Sequence, residues 1–210
     1  MTEERFTALI LAAGLSSRMG EFKPLLPLGG TTVIGQAIES FRNAGIEDIL
    51  VVAGFAAERL IPVLQEHQVE WVINHEYEQG MFSSLRAGVR KLRDSCEAFF
   101  VLPADHPFVR PATIIALMKA FRLCDEKKLV FRPSYRGQRG HPPLVSSALL
   151  PDVLGFDEKG GLRKLLARYD EKTLNVVCDD PGILIDIDSQ KDYRTAVEQY
   201  EDSNCQPVFD

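Results

Sequence analysis

The chain reads as an α/β domain, with a mostly parallel sheet covered by helices on both faces, and three features of the sequence predict this. Short runs at residues 8–11, 49–53 and 98–102 are apolar at every position and too brief for helices, as strands buried on both faces are. Between them come longer stretches whose apolar residues recur at i, i+3, i+4 and i+7, the single stripe of a surface helix. The two patterns alternate along the chain, which is the mark of βαβ units.

Taken in order, the first strand at 8–11 runs into small residues, Ala12, Ala13 and Gly14, and then a polar turn carrying Arg18 and Lys23. The segment PLLPL at 24–28 cannot continue as a regular helix, and Gly29-Gly30 turns the chain. Thr31 or Thr32 caps a helix striped by Ile34, Ala37, Ile38 and Phe41, with Gly45 where such a helix stops. A strand at 49–53, a helix at 56–66 notched by Pro62 and a strand at 70–73 follow. Leu85, Gly88, Val89 and Leu92 stripe the next helix, AFFVL at 98–102 is a strand, and Pro111 opens a helix carrying Ile114, Leu117, Met118 and Phe121. The sheet resumes at 129–131, and the rhythm breaks at 132–147, where three arginines, two glycines and three prolines suggest an excursion from the sheet. A short helix at Leu162, Leu165 and Leu166, strands at 174–177 and 183–187, and a last helix with Tyr193, Ala196, Val197 and Tyr200 complete the domain, residues 1–200. Residues 201–210 read as a polar tail.

At 210 residues the chain supports one domain with a substantial core. Its net charge of −6 argues against non-specific nucleic-acid binding, although a phosphate pocket needs only local cations. Cys96, Cys124, Cys178 and Cys205 form no C-x-x-C pair and read as reduced thiols. The polar N-terminus carries no signal peptide, and no apolar run approaches the ~20 residues that span a bilayer. A soluble cytoplasmic protein, without nucleic-acid or membrane partners, is the expectation.

The chemistry is expected first in the loop after the opening strand. Small side chains at Ala12-Ala13-Gly14 let a ligand approach backbone amides, and Arg18 and Lys23 add positive charge, a design suited to nucleotide phosphates. The spacing matches neither a P-loop nor a dinucleotide fingerprint. Asp105 ends the strand at VLPAD, where open α/β sheets bind ligands. It is placed to hold Mg²⁺ on a triphosphate, or else to form a turn ahead of His106-Pro107. Asp186 and Asp188 share one face of the expected strand in ILIDIDSQKDY, and Ser189 with Asp192 spells an acidic capping box. Three arginines in RPSYRGQRGHPP suit an anionic partner.

The string LAAGLSSRMG followed by Lys23 resembles the signature loop of the MobA-like nucleotidyltransferases, the molybdopterin cytidylyl- and guanylyltransferase group. LPADHP resembles that group's metal motif, and NHEYEQGMFSSLRAGV, RGQRGHPP, GGLR and DIDSQKDY resemble its later segments in the same order, from about Phe6 to Val197. The resemblance implies a Rossmann-like three-layer α/β/α fold of the nucleotide-diphospho-sugar transferase type. It implies transfer of a nucleoside monophosphate from an NTP to the phosphate of a molybdopterin-type cofactor, with pyrophosphate released. By the same resemblance Arg18, Lys23 and Asp105 are catalytic, and Leu11, Ala12, Ala13, Gly14, Arg18, Lys23, Asn74, Gly80 and Ser84 bind the nucleotide. Arg139, Gly140, His141, Gly161 and Arg163 close on the second substrate, and Asp105 and Asp186 hold Mg²⁺, with Asp188 as the alternative to Asp186. A molybdoenzyme is the implied recipient of the product.

Two departures from the group's pattern stand out: Lys159 and Leu162 replace an Asp and an Ala, and Ser189-Gln190 replace Thr-Pro. Alanine rather than glycine at position 13 resembles the cytidylyl branch and favours CTP over GTP. Rival readings are transfer to a sugar phosphate, use of GTP, and a nucleotide-binding chaperone that delivers a finished cofactor.

Overall fold

The computed structural model describes residues 5–15, 20–92, 96–124, 127–157 and 159–204. The expected α/β order is present: β1 (Phe6–Ala12), β2 (Pro27–Leu28), β3 (Thr31–Thr32), α1 (Val33–Asn43), β4 (Ile49–Ala53), α2 (Ala57–Glu66), β5 (Glu70–Ile73), α3 (Met81–Val89), β6 (Ala98–Pro103) and α4 (Pro111–Leu123). Then come β7 (Val130–Tyr135), β8 (Gln138–Arg139), β9 (Leu144–Ser146), α5 (Leu150–Gly155), α6 (Gly161–Ala167), β10 (Thr173–Val177) and α7 (Gln190–Asn204). The last helix therefore runs four residues into the stretch read as a tail. Thr32, not Thr31, caps α1, its hydroxyl accepting from Gly35 N at 3.1 Å.

The main sheet has the order β10-β7-β9-β6-β1-β4-β5, with β8 as a hairpin partner of β7. Pairing is parallel at β1–β4, β1–β6, β4–β5 and β7–β10, and antiparallel where β9 sits between β6 and β7. Chain order reverses between β1 and β6: β4 and β5 build outward on one side of β1, whereas β6 is placed on the other. That switch point leaves a crevice outside the carboxyl ends of β1 and β6, and it is where sheets of this kind receive ligands.

Alternation along β1 divides the core. Ala8, Ile10 and Ala12 pack with Phe41, Leu60 and Leu117 under α1, α2 and α4, while Leu9, Leu11 and Ala13 pack with Leu85, Val153 and Leu165 under α3, α5 and α6. A smaller cluster seats Ala196 of α7 against Leu28 of the β2–β3 hairpin.

The sequence reading and the fold part company in two places. Residues 132–147 do not leave the sheet: β7 continues through Tyr135, turns tightly into β8, and returns as β9, so the arginines and glycines decorate a hairpin. Residues 183–187 form no strand. A short 3-10 turn, Pro181–Leu184, leads into an extended run whose backbone groups bond to loops, Ile187 N–H to Asp105 O at 2.9 Å and His141 N–H to Ile183 O at 2.9 Å. The demand that buried amides be paired is met by loop carbonyls rather than by a neighbouring strand.

Candidate active site

Lys23 begins a 3-10 turn, Lys23–Leu25, that folds the end of the opening loop back across the crevice. Its side chain keeps only 12% of its exposure, and Nζ lies 2.7 Å from Asp188 Oδ1 and 3.8 Å from Asp105 Oδ2. Asp105 stands just past the end of β6, and its main-chain carbonyl accepts from Ile187 N–H, which clamps the 185–188 run beside it. Asp188 thereby reaches Lys23. Asp186 is exposed to solvent, and its charge is felt by His106. Of the two carboxylates that share a face in sequence, it is Asp188 that the fold brings to the lysine. Ser189 and Asp192 form the expected capping box, Ser189 N–H donating to Asp192 Oδ2 at 2.8 Å and Asp192 N–H to Ser189 Oγ at 3.3 Å, which fixes the entry to α7 immediately after Asp188.

Burial raises the Asp105 carboxyl above the ordinary aspartate value, with Asp188 acting in the same direction; His106 and Lys23 oppose the shift. Removing Lys23 would leave two carboxylates sharing a partly desolvated corner.

Leu11, Ala12, Ala13 and Gly14 floor a cavity of about 330 Å³ that Lys23, Gly80, Ser84 and Asp105 also line. Ser84 lies in the first turn of α3, 3% exposed, and its Oγ accepts from Asn74 Nδ2 at 3.0 Å. Its own proton meets no acceptor among the described residues. Asn74 does not line this cavity: its amide also donates to Ser83 Oγ at 2.8 Å, and its Oδ1 accepts from Glu76 N–H at 3.0 Å. It is a clasp that sets the angle of α3. Tyr77 and Met81 complete the wall beside Ser84, positions without a distinctive motif of their own. Arg18 lies outside the described residues.

A second cavity of about 340 Å³ shares Leu11, Met81 and Pro103 with the first and extends towards β7. His141, Gly161 and Arg163 line it; Arg139 does not. Arg139 donates from Nη1 to Asp170 at 2.6 Å and from Nε to Asn175 at 2.8 Å on the β10 side of the hairpin. Arg132 takes the place at the cavity that Arg139 was expected to hold. The available signal was a cation directly after the apolar Val130-Phe131. Gly140 serves packing: a Cβ there would meet Ile183 O at 2.3 Å, so only glycine lets the hairpin lie against the 183–188 run.

His106 and His141, the latter lining the second cavity, meet in a tilted contact with ring centroids 4.6 Å apart. The Nδ1 atoms of both are buried and find no partner among the described residues. Burial lowers both imidazoles, His141 to about 4 with His106 adding to the shift, and His106 against the pull of Asp105 and Asp186. Both rings are neutral at neutral pH. The unfolded chain binds a proton to His141 near pH 6.5 and the folded chain only near 4, so this group's stabilisation is complete above about 6.5 and lost as pH falls through that window. The loss is roughly 3 kcal/mol. Urea denaturation from pH 7 to 4 is expected to show His141→Gln with a shallower acid decline than the parent; parallel profiles would exclude the assignment.

Residues 8–173 match the MobA-like NTP transferase domain. The chain belongs to this family of nucleotidyltransferases. Molybdenum cofactor cytidylyltransferase of Escherichia coli K12 is 28% identical over 193 residues, 91% of this chain and 95% of that protein. A nucleotidyl transferase from Methanothermobacter (Mth528) superposes with a TM-score of 0.82 at 26% identity, covering 95% of this chain and 99% of the other. Rv0371c of Mycobacterium tuberculosis in complex with manganese shares the fold, with a TM-score of 0.72 at 23% identity over 92% of this chain and 98% of its own. The three-layer architecture is thus that of the nucleotide-diphospho-sugar transferase type. No helix among the described residues is long and apolar enough to cross a membrane.

Proposed function

We propose that this nucleotidyltransferase moves CMP from CTP to the phosphate of a molybdopterin-type cofactor and releases pyrophosphate, in the cytoplasm, for delivery to a molybdoenzyme. The observation that carries the reading is Lys23 set between Asp105 and Asp188 at the mouth of the cavity floored by Ala12-Ala13-Gly14. Cation, carboxylates and close-approach backbone meet at the switch point of the sheet.

The donor set fits a divalent cation such as Mg²⁺. Two carboxylates on separate loops already share one positive charge, and magnesium prefers one or two carboxylates completed by phosphate oxygens and water. Asp105 and Asp188 are the proposed ligands, in place of Asp105 and Asp186. When bound, such an ion would neutralise charge on the nucleotide's phosphates. The chain's own groups do the rest. Amides of the 12–14 turn and Lys23 receive the anionic oxygens, and Ser84 O–H donates into the cavity from a hydroxyl fixed by Asn74. Phosphoryl transfer asks little covalent work of the protein, so holding the two reactants in line supplies most of the acceleration. The second cavity, which shares Leu11, Met81 and Pro103 with the first, is where the acceptor lies.

Preference for CTP rests on Ala13, which lines the first cavity and whose Cβ stands against Gly54. One carbon there is worth about 1–3 kcal/mol of discrimination against a larger base. Pyrophosphate release measured with CTP, GTP and ATP, with Mg²⁺, with and without molybdopterin, is expected to require the pterin and to be fastest with CTP. Release dependent on a phosphorylated sugar instead, or fastest with GTP, would overturn the corresponding half of the reading.

A further inference from the structure

Arg132 is a cation without a visible purpose in the fold. It stands on β7 and, by strand alternation, on the same face as Val130, which belongs to the buried cluster beneath α3, α5 and α6. Its Nε is buried with no hydrogen-bond partner, and no other atom of its guanidinium has a hydrogen bond or ion pair among the described residues. The carboxylate in its surroundings, Asp170, is already bonded to Arg139 at 2.6 Å. Burial holds Arg132 below the usual arginine range, with Arg139 and Arg163 acting in the same direction. A guanidinium carries five donors and does not lose its charge, so leaving it half-buried and unanswered is costly unless something else brings the anion.

The second cavity supplies the place. Arg132, Arg163 and His141 are its polar lining, set against apolar walls from Phe82, Leu85 and Leu166. The backbone of Arg132 is two ladder steps from β6, whose end carries Asp105, or about 10 Å at the usual strand spacing. The His106 and His141 rings lie 4.6 Å apart, and His141 also borders the cavity of Arg132. An anion held at Arg132 lies in the second cavity, which adjoins the site of Lys23 and Asp105.

We propose that Arg132 is a specificity-determining residue that holds an anionic group of the acceptor in the second cavity. The acceptor class that fits is a molecule with an apolar or flat body that carries an acidic group. The proposal rests on the transferase reading above, in which the second cavity is the acceptor's.

The test compares parent, Arg132→Met and Arg132→Lys in two arms. In the first, steady-state pyrophosphate release is followed with CTP, Mg²⁺ and molybdopterin. Arg132→Met is expected to raise the KM for molybdopterin by ~10-fold or more while the KM for CTP and the thermal midpoint stay put, and Arg132→Lys recovers part of the loss. In the second arm the parent, saturated with CTP and Mg²⁺ so that the first cavity is filled, is titrated with inorganic phosphate by calorimetry. One phosphate is expected to bind, and Arg132→Met to abolish that binding. If molybdopterin is not turned over, the choice of acceptor has failed, and the calorimetric arm alone decides Arg132. An unchanged acceptor KM, or phosphate binding equal in parent and Arg132→Met, overturns the proposal.

Discussion

Lys23→Ala is expected to lower kcat about 10²- to 10³-fold, the usual cost of deleting one preorganised electrostatic contact to a charge that moves during reaction. The lysine is the one described side chain that touches both carboxylates of the site, at 2.7 and 3.8 Å. Its loss acts twice. The triphosphate loses a cation, and Asp105, already raised by burial and by Asp188, loses one of the charges that hold it down. Lys23→Arg keeps the charge but presents a planar fork in place of a compact ammonium, so partial recovery is expected rather than full.

The same geometry separates the two aspartates that look equivalent in DIDSQ. Asp188→Ala is expected to approach the effect of Lys23→Ala, because it removes the carboxylate nearest the ammonium. Asp186→Ala leaves that contact intact and is expected to stay within a few-fold of the parent. Initial rates of pyrophosphate release from the three purified variants, each checked for an unchanged thermal midpoint, give the comparison. Asp186→Ala inactive with Asp188→Ala normal would reverse the assignment of the second carboxylate.

How far these residues could be read in advance follows from how local their determinants are. The loop at 11–14 and the position of Asp105 were legible because an all-apolar strand followed by small residues fixes its own end, and strand ends point to the crevice whatever surrounds them. Asp186 and Asp188 could not be separated from sequence, since an extended run sends both the same way. The choice is made by Ile187 N–H bonding to Asp105 O, a contact between segments more than eighty residues apart. Arg132 and Arg139 were likewise interchangeable in a basic stretch until the register of the hairpin, Ser134 opposite Arg139, put one on the cavity and the other beside Asp170. Asn74 was assigned to the nucleotide, yet its amide faces two serines, because nothing in the string marks which polar groups the turn before α3 consumes.

Asp180 shows the same limit from the side of stability, and its substitution is the second large effect expected. Nothing in the string CDDPG marks it out. In the fold its carboxylate is 1% exposed and accepts from Gly182 N–H at 2.9 Å, Arg110 N–H at 2.9 Å and Thr113 Oγ at 2.7 Å. Two of those donors come from the start of α4, where the first amides of a helix have no partner within it. One side chain thus caps α4 from outside and pins the 181–188 run, where Gly182 passes so close to Phe108 that a Cβ would sit 2.0 Å from its carbonyl oxygen. Asp180→Ala would strand three donors at about 1–3 kcal/mol each, so a loss of roughly 3–5 kcal/mol is expected in urea denaturation. Asp180→Asn preserves the shape but turns one acceptor into a donor facing donors, and is expected to recover little. Because the pinned run carries Asp188, Asp180→Ala should also lower activity at temperatures where the variant is still folded. Loss of stability with activity untouched would mean that the run is held in place without Asp180.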